Sequence, residues 1–196
     1  MKNLLIIALT MIAARSYAQN FTADINHAKS SYSAGKLEDA HFSLLQAMQE
    51  VDLIIGNEVM KQLPVKMDSY ASNPGDDNVN ANVGFAGTTI RRSYGPEKNI
   101  DLSIIGNSPL ISTLNAFLNT PLIGGMMSNG ANKIIKIQGY KGQLTKDATA
   151  SGQTNYTIQV PVGSSLVTFT AKNTTDSQIM NWANTLPLQQ IAKLIQ

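Results

Sequence analysis

The sequence contains no cysteine, and this absence excludes several kinds of chemistry at once. A cysteine nucleophile, a thiolate metal site and a disulfide framework are all impossible without it. The chain also lacks the acceptor cysteine that a bacterial lipoprotein carries after its leader. The fold must therefore be held together by a packed apolar core, and the chain's 196 residues are enough to form one.

The chain also lacks a large excess of charge of either sign. It has 15 basic and 13 acidic residues. Lys2 and Arg15 lie in a segment that we expect to be removed, and without them 13 of each sign remain. The mature chain would then have a formal charge of zero, which provides no basic excess for binding nucleic acid or anionic lipid.

The N-terminal segment has the pattern of a secretory signal peptide, over residues 1–18. Lys2 provides a positive start, the stretch from Leu4 to Ala14 is apolar, and Ser16 and Ala18 are small residues at the positions that a signal peptidase reads. Cleavage is predicted before Gln19. The apolar run is too short for a membrane span, which needs about 20 residues. We therefore expect a periplasmic or secreted bacterial protein with no transmembrane span after cleavage.

The common motifs of enzyme and cofactor sites are missing from the sequence. There is no glycine-rich nucleotide loop after a strand, no zinc-protease helix motif and no nucleophile elbow. His27 and His41 are the only histidines, and with Asp24 or Glu38 they have the chemistry to bind a metal ion. We favour two helix-surface histidines without a metal. The sequence thus predicts no catalytic residues, no metal and no cofactor.

Residues 19–64 are predicted to form a helical hairpin. The first helix covers about Thr22 to Ser33 and stops at Gly35, and the second begins near Leu37 and ends before Pro64. The second helix has apolar residues at the i, i+3, i+4, i+7 spacing of a one-sided helix. They are Leu37, Ala40, Leu44, Ala47, Met48, Val51, Ile54, Ile55 and Val59. Such a stripe is expected to be buried on the rest of the chain or on a partner.

Within this hairpin, Tyr32, Gly35, Ala40, Leu44 and Ala47 keep the aromatic–Gly–Ala–large–Ala order of a tetratricopeptide repeat at about its spacing. In that order the hairpin resembles one such repeat. The resemblance implies two helices that cross closely at their small residues. It covers one repeat of a motif that stacks in arrays of three or more, so no peptide-binding groove is inferred from the family.

Residues 65–82 are predicted to be an exposed and mobile linker. They contain Ser-Asn-Pro-Gly-Asp-Asp and few apolar residues. Asp76 and Asp77 lie next to each other and do not have the ligand spacing of a calcium-binding EF-hand loop. A solvated loop is therefore favoured over a cation site.

Residues 83–196 are predicted to form an antiparallel α+β domain, because several segments alternate between apolar and polar residues with period two. Two strands flank a turn at Gly95–Asn99, and Asp101 is expected to pair with Arg91 or Arg92 across them. The two arginines would point to opposite faces, which favours a solvated strand face over an anion site. A helix follows with Ser108 as its N-cap.

The stretch from Ile134 to Lys172 is predicted to be a β-meander around which the domain is built. Tyr156, Ile158, Val160 and Val162 fall on one face of a strand and Thr157, Gln159 and Pro161 on the other. A bulge at Gly139 is expected to keep Tyr140 and Leu144 in phase with Ile135 and Ile137. Thr175 and Gln178 form a predicted capping box at the start of a C-terminal helix.

The fold class is therefore α+β: an N-terminal helical hairpin, then an antiparallel sheet of about 5–6 strands covered on one face by helices. The order of the elements is similar to that of PsbP-like sheet domains, and this resemblance implies only a fold. The whole chain looks like exported bacterial proteins that join a short helical hairpin to such a domain.

One apolar loop is the candidate binding segment. It consists of Leu122, Ile123, Gly124, Gly125, Met126 and Met127. Adaptable thioethers beside two glycines are typical of a lid or a contact patch, although a loop folded over the sheet core is the simpler interpretation.

The leading functional hypothesis is an exported, non-enzymatic binding or structural module that contacts an envelope protein through the hairpin or this loop. The alternatives are a carrier of an apolar ligand or lipid, held between the sheet and the helix that begins at Pro109, and an unrecognised hydrolase. A closed apolar pocket would favour the carrier. A solid core with an exposed stripe on the hairpin would favour the partner-binding module.

Overall fold

The computed structural model describes residues 20–81, 87–119, 132–149 and 152–195. The chain divides into two compact units between Ile54 and Ile55, so the end of one helix belongs to the second unit. The helices are α1 (20–33), α2 (Leu37–Gln62), α3 (Leu110–Asn119), α4 (Asp176–Ala183) and α5 (Leu188–Leu194). The strands are β1 (Lys66–Met67), β2 (Tyr70–Ala71), β3 (Asn78–Asn80), β4 (Thr89–Tyr94), β5 (Ile100–Gly106), β6 (Asn132–Ile137), β7 (Tyr140–Ala148), β8 (Thr154–Val162) and β9 (Ser165–Ala171). The predicted α+β class is confirmed.

The first unit is the helical hairpin. Helices α1 and α2 follow each other across a short turn, and Gly35 in this turn has a φ of +73°, which a residue with a side chain rarely adopts. Ala28, Ala40 and Ala47 are buried, because small side chains let two helices cross closely. His27 Nδ1 lies 2.7 Å from the hydroxyl of the buried Ser43, and this hydrogen bond links the two helices.

The second unit is built on a seven-stranded sheet with the strand order β3-β4-β5-β9-β8-β7-β6. Every neighbouring pair in it is antiparallel. The sheet has more strands than the 5–6 predicted because β3 joins it from the segment that was expected to be a linker. Strand β9 pairs with both β5 and β8 along its full length, which places it at the centre of the sheet.

The two faces of the sheet differ as the alternation predicts. One face is buried against the end of α2, α4 and α5 and forms the main core, with strand residues such as Ile158, Val160 and Phe169. The other face is polar and half-exposed, with Thr157, Gln159 and their neighbours in register. On that polar face only α3 packs among the described residues, through a small cluster that includes Leu114, Leu118 and Leu166.

The meander contains four strands, and the expected bulge at Gly139 is a turn. Gln138 and Gly139 connect β6 to β7, with φ angles of +48° and +92°. A two-residue loop with positive φ at both positions matches the right-handed twist of a hairpin. The turn has the effect expected of the bulge, because Ile135, Ile137 and Leu144 are buried on the core face.

Residues 65–81, which the composition predicts to be part of an exposed linker, contain short strands and a turn. Strands β1 and β2 form a small two-stranded sheet, Pro74–Asp76 is a 3-10 turn, and β3 joins the main sheet. Met67 is fully buried in the core. The composition did not indicate these strands because they are only two or three residues long, and β3 depends on pairing with β4, which lies farther along the chain.

Arg92 attaches this segment to the sheet. The prediction that its side chain lies on a solvated strand face is wrong. Its side chain is 10% exposed, and it donates from Nε and Nη2 to the two carboxylate oxygens of Asp77 at 2.9 and 2.5 Å. Its Nη1 donates to the carbonyl oxygen of Leu63 at 2.9 Å. Tyr94 also donates to the Pro64 carbonyl, and burial raises the pKa of this tyrosine to about 12, so it remains a neutral donor. These bonds attach the segment after α2 to the sheet.

Two more exposed ion pairs, Arg91–Asp101 and Lys98–Asp76, lie next to this network. Arg91 pairs with Asp101 across the strands, and its Nη2 donates to Asp101 Oδ2 at 2.8 Å. This is one of the two pairings that the sequence predicts. Asp76 accepts from the Ser93 hydroxyl and contacts Lys98, and these interactions lower the pKa of its carboxyl group. The adjacent acids of this loop are thus paired with the protein's own side chains and do not form a solvated loop.

The predicted capping box is confirmed at the start of α4, where Thr175 and Gln178 bond reciprocally to backbone amides. Trp182 on this helix meets the Tyr70 ring edge-on, with ring centroids 5.9 Å apart. Gly56 lets α2 approach β3, because a methyl group there would lie 2.5 Å from a Val79 methyl carbon.

None of the helices among the described residues has the length and the apolar composition that a membrane span requires.

Candidate functional site: the exposed face of the helical hairpin

The binding segment predicted from the sequence, Leu122 to Met127, lies outside the residues that the structure describes. The other half of the binding prediction, the apolar stripe of the hairpin, is well described. The stripe is only partly buried. Ala40 and Ala47 are covered, whereas the large side chains Leu37, Leu44 and Met48 are exposed, as are Val51 and Ile54.

Four of the exposed side chains form one continuous face of α2, whereas Ile54 and Phe42, which is 61% exposed, lie at other angles around the helix. With 100° between successive residues, Leu37, Leu44, Met48 and Val51 lie within an arc of about 60°. Met48 is 62% exposed and Leu37 is 63% exposed. Exposed apolar residues are usually scattered singly over a protein surface, whereas these lie in a row on one helix face. We call this row, together with Tyr32 of α1, the hairpin face.

Between the two helices the hairpin face contains a shallow groove with a volume of about 360 Å³. Its lining residues are Ile25, Ala28, Lys29, Tyr32, Ala40 and Leu44. Ala28 and Ala40 are small and buried, so they form the floor, whereas Tyr32 is 70% exposed and stands at the rim. The pattern of small and large residues that brings the helices together thus also leaves an open apolar groove above the crossing.

The charges around the hairpin face are mostly acidic. Residues 20–54 contain five acidic and two basic side chains, which give a formal charge of −3. They are Asp24, Glu38, Asp39, Glu50 and Asp52 against Lys29 and Lys36. Partial burial raises the pKa of Asp52, and this carboxylate has no ion-pair partner among the described residues. The surface therefore offers apolar contact together with unpaired negative charge.

Neither histidine belongs to a group of potential metal ligands among the described residues. His27 contacts Ser43 as stated above, and within residues 20–81, 87–119, 132–149 and 152–195 no group of three potential ligand side chains is close enough to hold a metal ion. The titratable groups with shifted pKa values in the second unit belong to the Arg91–Asp101 and Arg92–Asp77 pairs and their neighbours.

A second pocket lies between α3 and the polar face of the sheet, where the sequence hypothesis of a carrier places a cavity. It has a volume of about 310 Å³ and is open to solvent. Its lining residues are Leu110, Thr113, Leu114, Phe117, Asn132, Gln143, Gln159 and Leu166. Sequence reasoning suggested an apolar cavity at this place but did not identify its polar residues, since they look like the ordinary wet face of a strand until the register places them together.

Comparison with known proteins adds no relative from which a function can be inferred. No protein-family model matches the chain, and no curated protein matches it significantly.

Proposed function

We propose that the protein is an exported, non-enzymatic module of the bacterial cell envelope that binds a protein partner through the hairpin face. One observation carries the proposal: a row of large apolar side chains is exposed on the hairpin, whereas the sheet unit buries its own core. The exported location rests on the signal-peptide pattern of residues 1–18.

The occupant of the hairpin face is expected to be an amphipathic helix. A groove between two helices, with large apolar side chains at its rim, matches the apolar face of a third helix, which inserts residues at i, i+3, i+4 and i+7. The tetratricopeptide-like order of Tyr32, Gly35 and Ala40 supports the same proposal, because a single repeat needs a neighbouring helix to cover its outer face.

The charge of the hairpin favours a basic partner. A formal charge of −3 around an apolar face attracts a helix with Lys or Arg beside its apolar residues. Asp52 is suited to one of these contacts because its carboxylate is partly buried and has no cation partner among the described residues. The same charge disfavours nucleic acid, anionic lipid and a second, equally acidic hairpin.

The non-enzymatic part of the proposal rests on where the titratable groups lie. The groove on the hairpin face is lined by aliphatic side chains, Lys29 and Tyr32, and it contains no carboxylate or histidine. General acid–base chemistry needs convergent titratable groups within reach of a substrate, and the shifted groups of the sheet unit are engaged in structural pairs.

Site-specific photo-crosslinking in the native envelope tests the proposal. We expect a photoreactive residue at Met48 to form one main covalent adduct with an envelope protein that presents a basic amphipathic helix. Val65 is the matched control, because it is 75% exposed and apolar but belongs to the second unit. The same adducts from both positions, or an adduct of twice the chain's own mass, would contradict the proposed partner.

A further inference from the structure

The pocket between α3 and the sheet has two walls of different chemistry. Its apolar wall is formed by Leu110, Leu114 and Phe117 on α3 together with Leu166 of β9. Its polar floor is formed by the side-chain amides of Asn132, Gln143 and Gln159, which come from three consecutive strands, β6, β7 and β8. Thr113 adds a hydroxyl group, and none of the lining side chains is charged.

The strand register explains why the amides meet. Gln143 lies directly opposite Gln159 across β7 and β8, and Asn132 lies opposite Thr145 across β6 and β7. Asn132 Oδ1 accepts from Gln143 Nε2 at 3.0 Å and from Thr145 Oγ1 at 2.9 Å, which fixes the positions of two of the amides. Three strands thus present polar groups to one point of the sheet surface.

These amides keep unused hydrogen-bonding capacity. Asn132 Nδ2, Gln143 Oε1 and both polar atoms of the Gln159 amide have no hydrogen-bond partner among the residues that the structure describes. The floor therefore offers both donors and acceptors to a ligand. A ligand that covered it with hydrocarbon alone would bury these groups without hydrogen bonds, which is unfavourable.

We propose that this pocket binds an uncharged saccharide. A sugar ring has hydroxyl groups along its edge, which are both donors and acceptors, and a face of C–H groups that packs on an aromatic or aliphatic side chain. The amide floor can form hydrogen bonds with the edge of the sugar ring, and Phe117 and Leu110 can pack against its C–H face. The lack of charge in the lining disfavours an anion or a cation, and the amides disfavour a fatty acyl chain.

The volume and the surroundings indicate a short oligosaccharide. About 310 Å³ is at the small end of ligand pockets, which suits one or two sugar rings. Beyond the pocket the floor continues as hydroxyl side chains on the same face of the sheet, because Gln159 lies opposite Thr168, and Thr168 lies opposite Ser103. Further sugar rings would find hydrogen-bonding groups along this row.

The test is saturation-transfer NMR on the mature full-length protein with neutral disaccharides and trisaccharides of glucose, N-acetylglucosamine and mannose as the actual probes. We expect one of these sugar types to bind with a dissociation constant of about 1 mM or below. Gln159→Ala and Asn132→Ala should each weaken that binding at least 5-fold, because each removes hydrogen bonds to the sugar edge. Phe117→Leu should weaken it as well while keeping the apolar packing of α3.

Gln190→Ala is the matched control, since Gln190 is an exposed glutamine on α5, outside the pocket lining. It should leave sugar binding unchanged. Sodium octanoate is the comparison probe for an acyl chain. The proposal is overturned if none of the saccharides binds, if octanoate alone binds, or if the pocket variants bind as the wild type does while Trp182 fluorescence shows that they are folded. None of these outcomes affects the hairpin face, so the two proposals fail separately.

Discussion

Replacing Arg92 with alanine is expected to lower the free energy of unfolding of the sheet unit by about 3 kcal/mol. The guanidinium makes two bonds to the Asp77 carboxylate and one to the Leu63 carbonyl, and it is almost fully buried. Its removal leaves the Asp77 charge without its cation and a carbonyl oxygen without its donor. It also removes one of the attachments between β4 and the segment after α2, in addition to the Tyr94–Pro64 bond and the β3–β4 pairing, which remain.

The measurement is urea unfolding followed by the fluorescence of Trp182, which is the only tryptophan and packs on the sheet core. The matched control is Arg91→Ala. Arg91 is the neighbouring residue on the same strand, but its pair with Asp101 is exposed, so its loss should cost less than about 1 kcal/mol. Equal destabilisation by the two substitutions would show that burial of the Arg92 pair is not what stabilises this region.

Replacing Phe169 with alanine is expected to destabilise the same unit by about 4 kcal/mol. Phe169 is 1% exposed and lies on the central strand β9, opposite Leu102 of β5 and Ile158 of β8. Both neighbours are themselves buried, so the cavity left by the ring has no solvent-exposed side into which the structure can relax.

Thr168→Ala is the control for this second prediction, because Thr168 is the adjacent residue on the opposite, polar face of the sheet. It should cost less than about 1 kcal/mol. The free energy of unfolding of both variants is measured by the same urea titration, followed by Trp182 fluorescence. If Thr168→Ala were as damaging as Phe169→Ala, the assignment of one buried and one wet face would be wrong.

Most of the sheet could be predicted from local alternation. Tyr156 to Val162 and Val167 to Ala171 follow period two, and the structure buries the alternate residues that this period selects. The capping box at Thr175 and the stop at Gly35 were predicted as well, since each depends on residues a few positions apart. Elements of this kind are determined by their own sequence, whichever way the rest of the chain packs.

The elements that were mispredicted depend on distant contacts. Strands β1 to β3 have too few residues for a visible period. The segment that contains them is attached to β4 by Arg92, which lies 15 positions after its partner Asp77. The helix stripe of α2 was correctly found, but its periodicity could not indicate that Ala40 would be covered and Leu44 exposed. The amide floor of the second pocket depends on register between three strands, which no single segment encodes.

The most direct test of the central claim is a quantitative comparison of the proteins that co-purify from the native envelope with the mature wild type and with the double variant Leu44→Glu/Met48→Glu. We predict that recovery of the partner falls at least 10-fold with the double variant and is unchanged with Val65→Glu, because the two charges interrupt the hairpin face only. Far-UV circular dichroism should show the same helix content for all three proteins; it is used here because Trp182 lies in the second unit and does not report on the hairpin. Undiminished recovery by a folded double variant would contradict the claim that the hairpin face binds the partner.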